Sequence, residues 1–134
     1  MGESTVEHLR AFPLFTGLSD EAIAKVADAA TEFDAPAGRV LAEVGQPGSG
    51  MFIVEDGEVA VELPSGGEAV LGHGEFFGEM SLLTDEPHSA RVRARTDVRC
   101  IALSRRDFSA LLDEEPRVAV AMLPVLARRL RDAI

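Results

Sequence analysis

The chain has 134 residues, enough for one domain with a proper core. Its 46% hydrophobic and 27% charged residues are those of a soluble globular protein, and its longest nearly uncharged apolar run, Val118 to Ala127, is too short to cross a bilayer. A net charge of −10 excludes a bare nucleic-acid binder, which needs cationic surface to displace counterions.

Residues 116–134 sum to +3 through Arg117, Arg128, Arg129 and Arg131 against Asp132, and this basic end reads as a solvated helix face. Cys100 is the single cysteine, so no internal disulfide forms, and its strand-like surroundings mark a buried, inert thiol. The N-terminus has no signal-peptide apolar core, and a cytoplasmic protein is expected.

Thr5 to Phe12 reads as a short helix with Val6, Leu9 and Phe12 on one face. Ser19 is a candidate N-cap for a second helix, with Asp20 and Glu21 in its first turn and an end near Ala30. From Ala35 to Leu103, short apolar runs alternate with turn signals about every ten residues, as in an all-β sandwich or barrel. Asp56-Gly57 is a hairpin signal between Met51–Val54 and Val59–Leu63. Pro64 to Gly67 is another turn. Ala90, Val92 and Ala94 alternate with Arg91, Arg93 and Arg95, which predicts one buried and one wet face of an antiparallel strand. Ser104 precedes a helix with Phe108, Leu111 and Leu112 on its apolar face. Pro116 suits the first position of a last helix, whose expected stripe is Ala119, Met122, Leu123, Leu126 and Leu130. Pro124 is expected to interrupt and kink it.

The stretch from Phe76 to Ala90 reads as a site. Two phenylalanines anchor one end. Gly78 lacks a Cβ and lets another molecule come close. Glu79 opens a short apolar turn whose free N–H groups can face an anion. A carboxylate beside exposed amides suits a ligand with both a hydroxyl and a negative group, such as a sugar phosphate.

The run Phe77-Gly78-Glu79-Met80-Ser81-Leu82-Leu83, followed by Pro87-x-Ser89-Ala90-x-Val92, resembles the phosphate-binding cassette of cyclic-nucleotide-binding domains, the sensors of the cAMP receptor protein family, of cAMP-dependent kinase regulatory subunits and of some channels. The resemblance extends through Gly45-Gln46-Pro47-Gly48, Met51 to Val59, and Ile101 to Leu112. It implies a mainly β fold with flanking helices: an antiparallel β-roll or jelly roll, with N-terminal helices at 1–33, the roll at 34–103 and C-terminal helices at 104–134. One domain is expected over 1–134, without the helix-turn-helix that the DNA-binding members carry.

The resemblance also assigns roles. Glu79 accepts from the ribose 2′-hydroxyl, and Gly78 leaves room for the sugar. Met80 offers a backbone N–H. Ser89 bonds the phosphate or base, and Val61 and Leu71 form the apolar wall under base and sugar. The family's phosphate-binding Arg is here His88. A guanidinium offers a permanent charge and a planar fork of donors. Histidine offers at most one donor per ring nitrogen and is ordinarily neutral above a pKa of about 6.5.

The expected function is a regulatory, non-enzymatic cyclic-nucleotide sensor, cAMP before cGMP, weakened by His88. It needs no metal or other cofactor, touches neither nucleic acid nor membrane, and pairs as a homodimer through its last helix. Its effector protein is not identified by the sequence. The alternative is a degenerate fold that binds no nucleotide and works through protein contacts. A metal enzyme on a jelly roll is the third reading; His8, His73 and His88 lack metal-ligand spacing.

Overall fold

A computed structural model describes residues 3–134. In chain order its helices are α1 (Glu3–Ala11), α2 (Asp20–Ala29), α3 (Glu79–Thr84), α4 (Arg105–Glu114) and α5 (Pro116–Ala133), with a 3-10 turn at Pro13–Phe15. Its strands are β1 (Thr31–Ala35), β2 (Val40–Ala42), β3 (Gly50–Asp56) and β4 (Val59–Glu62), then β5 (Glu68–Leu71), β6 (Phe76–Phe77), β7 (Val92–Ala94) and β8 (Val98–Ser104). Two compact units are distinguished: a β unit, Ala30–Arg105, and a helical unit of residues 3–29 with Arg106–Ile134.

The β unit holds two four-stranded antiparallel sheets, in the orders β1-β8-β3-β6 and β2-β7-β4-β5. Both sheets send small and branched side chains into a shared core of Val54, Val59, Leu71, Phe77, Val92 and Cys100. The alternation expected around Val92 is present: Val92 and Ala94 are buried, while Arg91 and Arg95 are exposed. Phe52 stacks on Phe77 with centroids 5.0 Å apart and meets the edge of Phe33 at 5.8 Å. Such pairs add to burial by holding rings in fixed geometry.

The Asp56-Gly57 hairpin is a misreading. β3 pairs with β8 and β6, and β4 pairs with β5 and β7, so the two strands belong to different sheets. Gly57 has φ +83°, and a Cβ there would stand 2.2 Å from the Asp97 carbonyl oxygen. A left-handed residue serves a corner between sheets as well as a tight turn, and distant strands decide which one forms. The turn at Pro64 to Gly67 does join a hairpin: Gly66 N–H donates to the Leu63 carbonyl at 2.9 Å, and Val59 lies opposite Leu71.

In the helical unit the Ser19 cap is present, with its Oγ accepting from the Ala22 N–H at 3.2 Å. Leu9, Phe12, Phe15, Ile23, Phe108, Val118 and Met122 are buried. The helix α5 opens on Pro116 and runs on through Pro124 to Ala133 as one element, in which Pro124 has no N–H to give to the preceding turn. Its expected stripe is only partly inward. Met122 is buried, but Leu123 and Leu130 are 62% and 64% exposed, and Val118 takes the inward place one turn earlier. The sequence period is satisfied by either face, and packing chose Val118.

Candidate functional site

The cassette begins where β6 turns into α3. Gly78 has φ +86°, and a Cβ there would stand 2.9 Å from the Gly50 carbonyl oxygen and 3.2 Å from the Phe52 ring. The close approach expected of a ligand is made here by the chain's own β3. Glu79 follows as the first residue of α3 and is 3% exposed, while Met80 points out at 54%.

Buried Ser81 ties the cassette together. Its hydroxyl donates to the Glu86 carbonyl and accepts from the Gly48 amide at 3.1 Å. His88 is half-buried; its N–H donates to the Gln46 carbonyl and its carbonyl accepts from the Gly45 N–H, each at 2.9 Å. The loop 45–50 is therefore pinned to both ends of the cassette. A Cβ on Gly48 would reach 3.5 Å from His88 Cε1. Ser89 is exposed, and its Oγ lies 3.7 Å from Met80 Sδ.

Gly78, Glu79, Met80, His88 and Ser89 thus form one knot with the loop 45–50. Val61 and Leu71 lie in the wall made by β4 and β5. Leu71 belongs to the closed core, while Val61, opposite Val92, is half-buried at its edge.

Three residues hold this knot without having been assigned a role from the sequence: Gly48, the Ser81 side chain and Arg105. The Arg105 guanidinium donates to Asp85 Oδ1 at 2.7 Å and to the Gly48 carbonyl at 3.1 Å, and its N–H donates to the Ser49 carbonyl at 2.9 Å. Asp85 ends α3 with φ +57°, a conformation Asp tolerates better than most residues. The glycine-rich turn was visible in the sequence; its partners, distant along the chain, were not.

Arg91 and Arg93, possible substitutes for the missing arginine, are engaged elsewhere. Arg91 Nε lies 3.1 Å from both Glu43 oxygens and 3.5 Å from Glu62, and Arg93 pairs with Glu68. The hydrogen bond to Glu43 raises the Arg91 guanidinium above its ordinary value. His73 donates its Nδ1 proton to the Glu55 carbonyl at 2.8 Å, since a carbonyl only accepts. Among the described residues no cluster of three or more His, Cys, Asp or Glu is placed to hold a metal, and no helix is long and apolar enough to cross a membrane. A hollow of about 510 Å³, lined by Asp34, Asp56, Asp97 and Arg99 among others, lies on the β unit but borders none of the expected site residues.

A family model described as the cyclic nucleotide-binding domain matches residues 32–115. The chain belongs to this family. Its two antiparallel sheets with helices before and after are the family's β-roll. A cyclic nucleotide-gated potassium channel of Mesorhizobium japonicum is 40% identical over 109 residues, covering 81% of this chain and 30% of the channel. The cyclic AMP receptor protein of Thermus thermophilus is 36% identical over 130 residues, covering 93% of this chain and 60% of that protein. A regulatory subunit of a cAMP-independent protein kinase A from Trypanosoma cruzi, solved bound to guanosine, superposes with a TM-score of 0.79 at 26% identity, covering 90% of this chain and 44% of its own. The chain thus spans less than two thirds of the length of each of these two curated relatives.

Proposed function

We propose that this chain is a regulatory, non-enzymatic binding module for a cyclic nucleotide, acting as one domain over 1–134 in the cytoplasm. The observation that carries the reading is Glu79. A carboxylate only 3% exposed, at the first position of α3 and in one knot with His88 and Ser89, suits a hydroxyl donor from a ligand. The ribose 2′-hydroxyl is such a donor. The name of the Thermus thermophilus relative supports cAMP before cGMP.

His88 weakens the phosphate contact. Losing one hydrogen bond to a charged group costs about 1.5–3 kcal/mol, and about 1.4 kcal/mol is tenfold in affinity. Calorimetry with cAMP and cGMP tests the reading, and measurable heat with saturation is the expected result.

A second reading has its own observation. Val120, Leu123 and Leu130 of α5 are more than 60% exposed. They suit pairing with a second copy, so the fold can serve as a dimerisation module whether or not it binds a nucleotide. Silence in calorimetry at millimolar ligand, with a dimer in sedimentation, would select this reading.

A further inference from the structure

In the helical unit, the outer face of α5 and the surface beside it form one apolar patch. Val120, Leu123, Ala127 and Leu130 are exposed. At about 3.6 residues per turn they share one side of the helix, opposite buried Val118 and Met122. Beside the first half of α5 lies a hollow of about 300 Å³, lined by Pro13, Leu14, Leu18, Val120 and Ala121 among others. Val120 belongs to both features, so the stripe runs into the hollow.

The two ends of this face carry opposite charge. Residues 113–117 hold Asp113, Glu114 and Glu115 against Arg117, a net −2. Residues 128–132 hold Arg128, Arg129 and Arg131 against Asp132, a net +2. Asp113, Glu114, Arg128 and Arg131 are exposed. Arg117 turns back to its own unit and donates to the Gly17 carbonyl at 3.1 Å. From Pro116 to Arg131 the helix rises roughly 22 Å at about 1.5 Å per residue. That exceeds the screening length of about 8 Å at physiological salt, so each end responds to the charge nearest it.

We infer that the occupant of this patch is a second copy of the chain, with the two α5 helices antiparallel. Either orientation buries the same apolar stripe, so burial does not choose between them. Charge does. A parallel pair sets acidic end against acidic end and basic end against basic end. An antiparallel pair sets each acidic end against a basic one, which rejects the parallel alternative. It also lays the partner's Leu130 beside Val120, at the mouth of the hollow, and the partner's Ala127 beside Leu123. The inference rests on the dimerisation reading above and adds its geometry.

The test is disulfide trapping on the full chain, with Cys100→Ala as background. Val120→Cys and Leu130→Cys are made singly, and one of them carries a tag so that a gel separates the mixed dimer. Both positions are exposed, and melting temperatures check that the variants fold. Under mild oxidation the mixture should give the mixed dimer, while Val120→Cys alone should not link to itself. In sedimentation, Arg128→Glu with Arg131→Glu should weaken the dimer by about tenfold. Adding Asp113→Arg and Glu114→Arg should restore it. A dimer that links Val120→Cys to itself, that forms neither disulfide, or that ignores the charge reversal overturns the inference and leaves dimerisation standing. A strict monomer of the wild type at high concentration overturns both.

Discussion

The Gly48 amide donates to the Ser81 hydroxyl at 3.1 Å, and a Cβ on Gly48 would stand only 2.4 Å from that oxygen and 2.6 Å from the Ser81 Cβ. The glycine-rich loop and the cassette helix are therefore fitted to one another directly. Gly48→Ala should cost about 1–3 kcal/mol, the usual range for overpacking, and should weaken ligand binding by displacing α3. Ser81→Ala should cost a similar amount, about 1–3 kcal/mol, because the buried Gly48 amide loses its acceptor. Urea denaturation and calorimetry on both variants check this. Full stability in both would show that the contact is incidental.

Glu79→Gln separates recognition from scaffolding. The amide keeps the size of the side chain but turns one acceptor oxygen into a donor. Ligand binding should fall by about tenfold or more, or about 1.4 kcal/mol, with little change in melting temperature. Equal losses in binding and stability would mark Glu79 as a structural residue of the α3 turn.

His88→Arg should tighten cAMP binding by about tenfold or more, about 1.4 kcal/mol, because a guanidinium supplies a permanent charge and a planar fork of donors where an imidazole offers at most one donor per ring nitrogen. Calorimetry on the two proteins measures the ratio. Equal affinities would remove residue 88 from the phosphate contact.

Cys100 is fully buried in the roll, and its thiol is pushed up to about 11, first by burial and then by Glu55. Iodoacetamide at pH 8 should leave the native thiol unmodified and should alkylate it in denaturant. The sign of the linkage follows. The unfolded thiol ionises near its ordinary value of 9.0 and the folded one near 11, so its contribution to stability is present below pH 9 and is lost as pH rises towards 11. The stability gap between wild type and Cys100→Ala should narrow between pH 8 and pH 10.5 in urea denaturation.

Val120, Leu123, Leu130 and Ile134 are 63%, 62%, 64% and 96% exposed. With Ala127 they recur at alternating spacings of three and four, the pattern of a two-helix seam. Leu123→Glu should turn a dimer into a monomer in sedimentation. Leu126, half-buried, is the poorer probe. A strict monomer of the wild type at high concentration would end the proposal.

What could be read along the chain was chemistry settled within a few residues. The Ser19 cap lies three residues from the N–H it receives. The turn after Leu63 closes on residues 66 and 67. The alternation at Val92 and Ala94 states which face is buried. The cassette was legible because Gly78 through Ser89 is one continuous stretch. Partner choice was not legible. Asp56-Gly57 carries a turn signal, yet distant strands put β3 and β4 in separate sheets. The space left by Gly78 is taken by Gly50, and Arg91 is held by Glu43, 48 residues earlier. The apolar period of α5 fits more than one face, and only packing shows that Val118 is buried while Leu123 is exposed. Caps, turns and alternation depend on neighbours in sequence. Pairings depend on which distant surfaces bury each other when the whole chain collapses, and that is decided only in three dimensions.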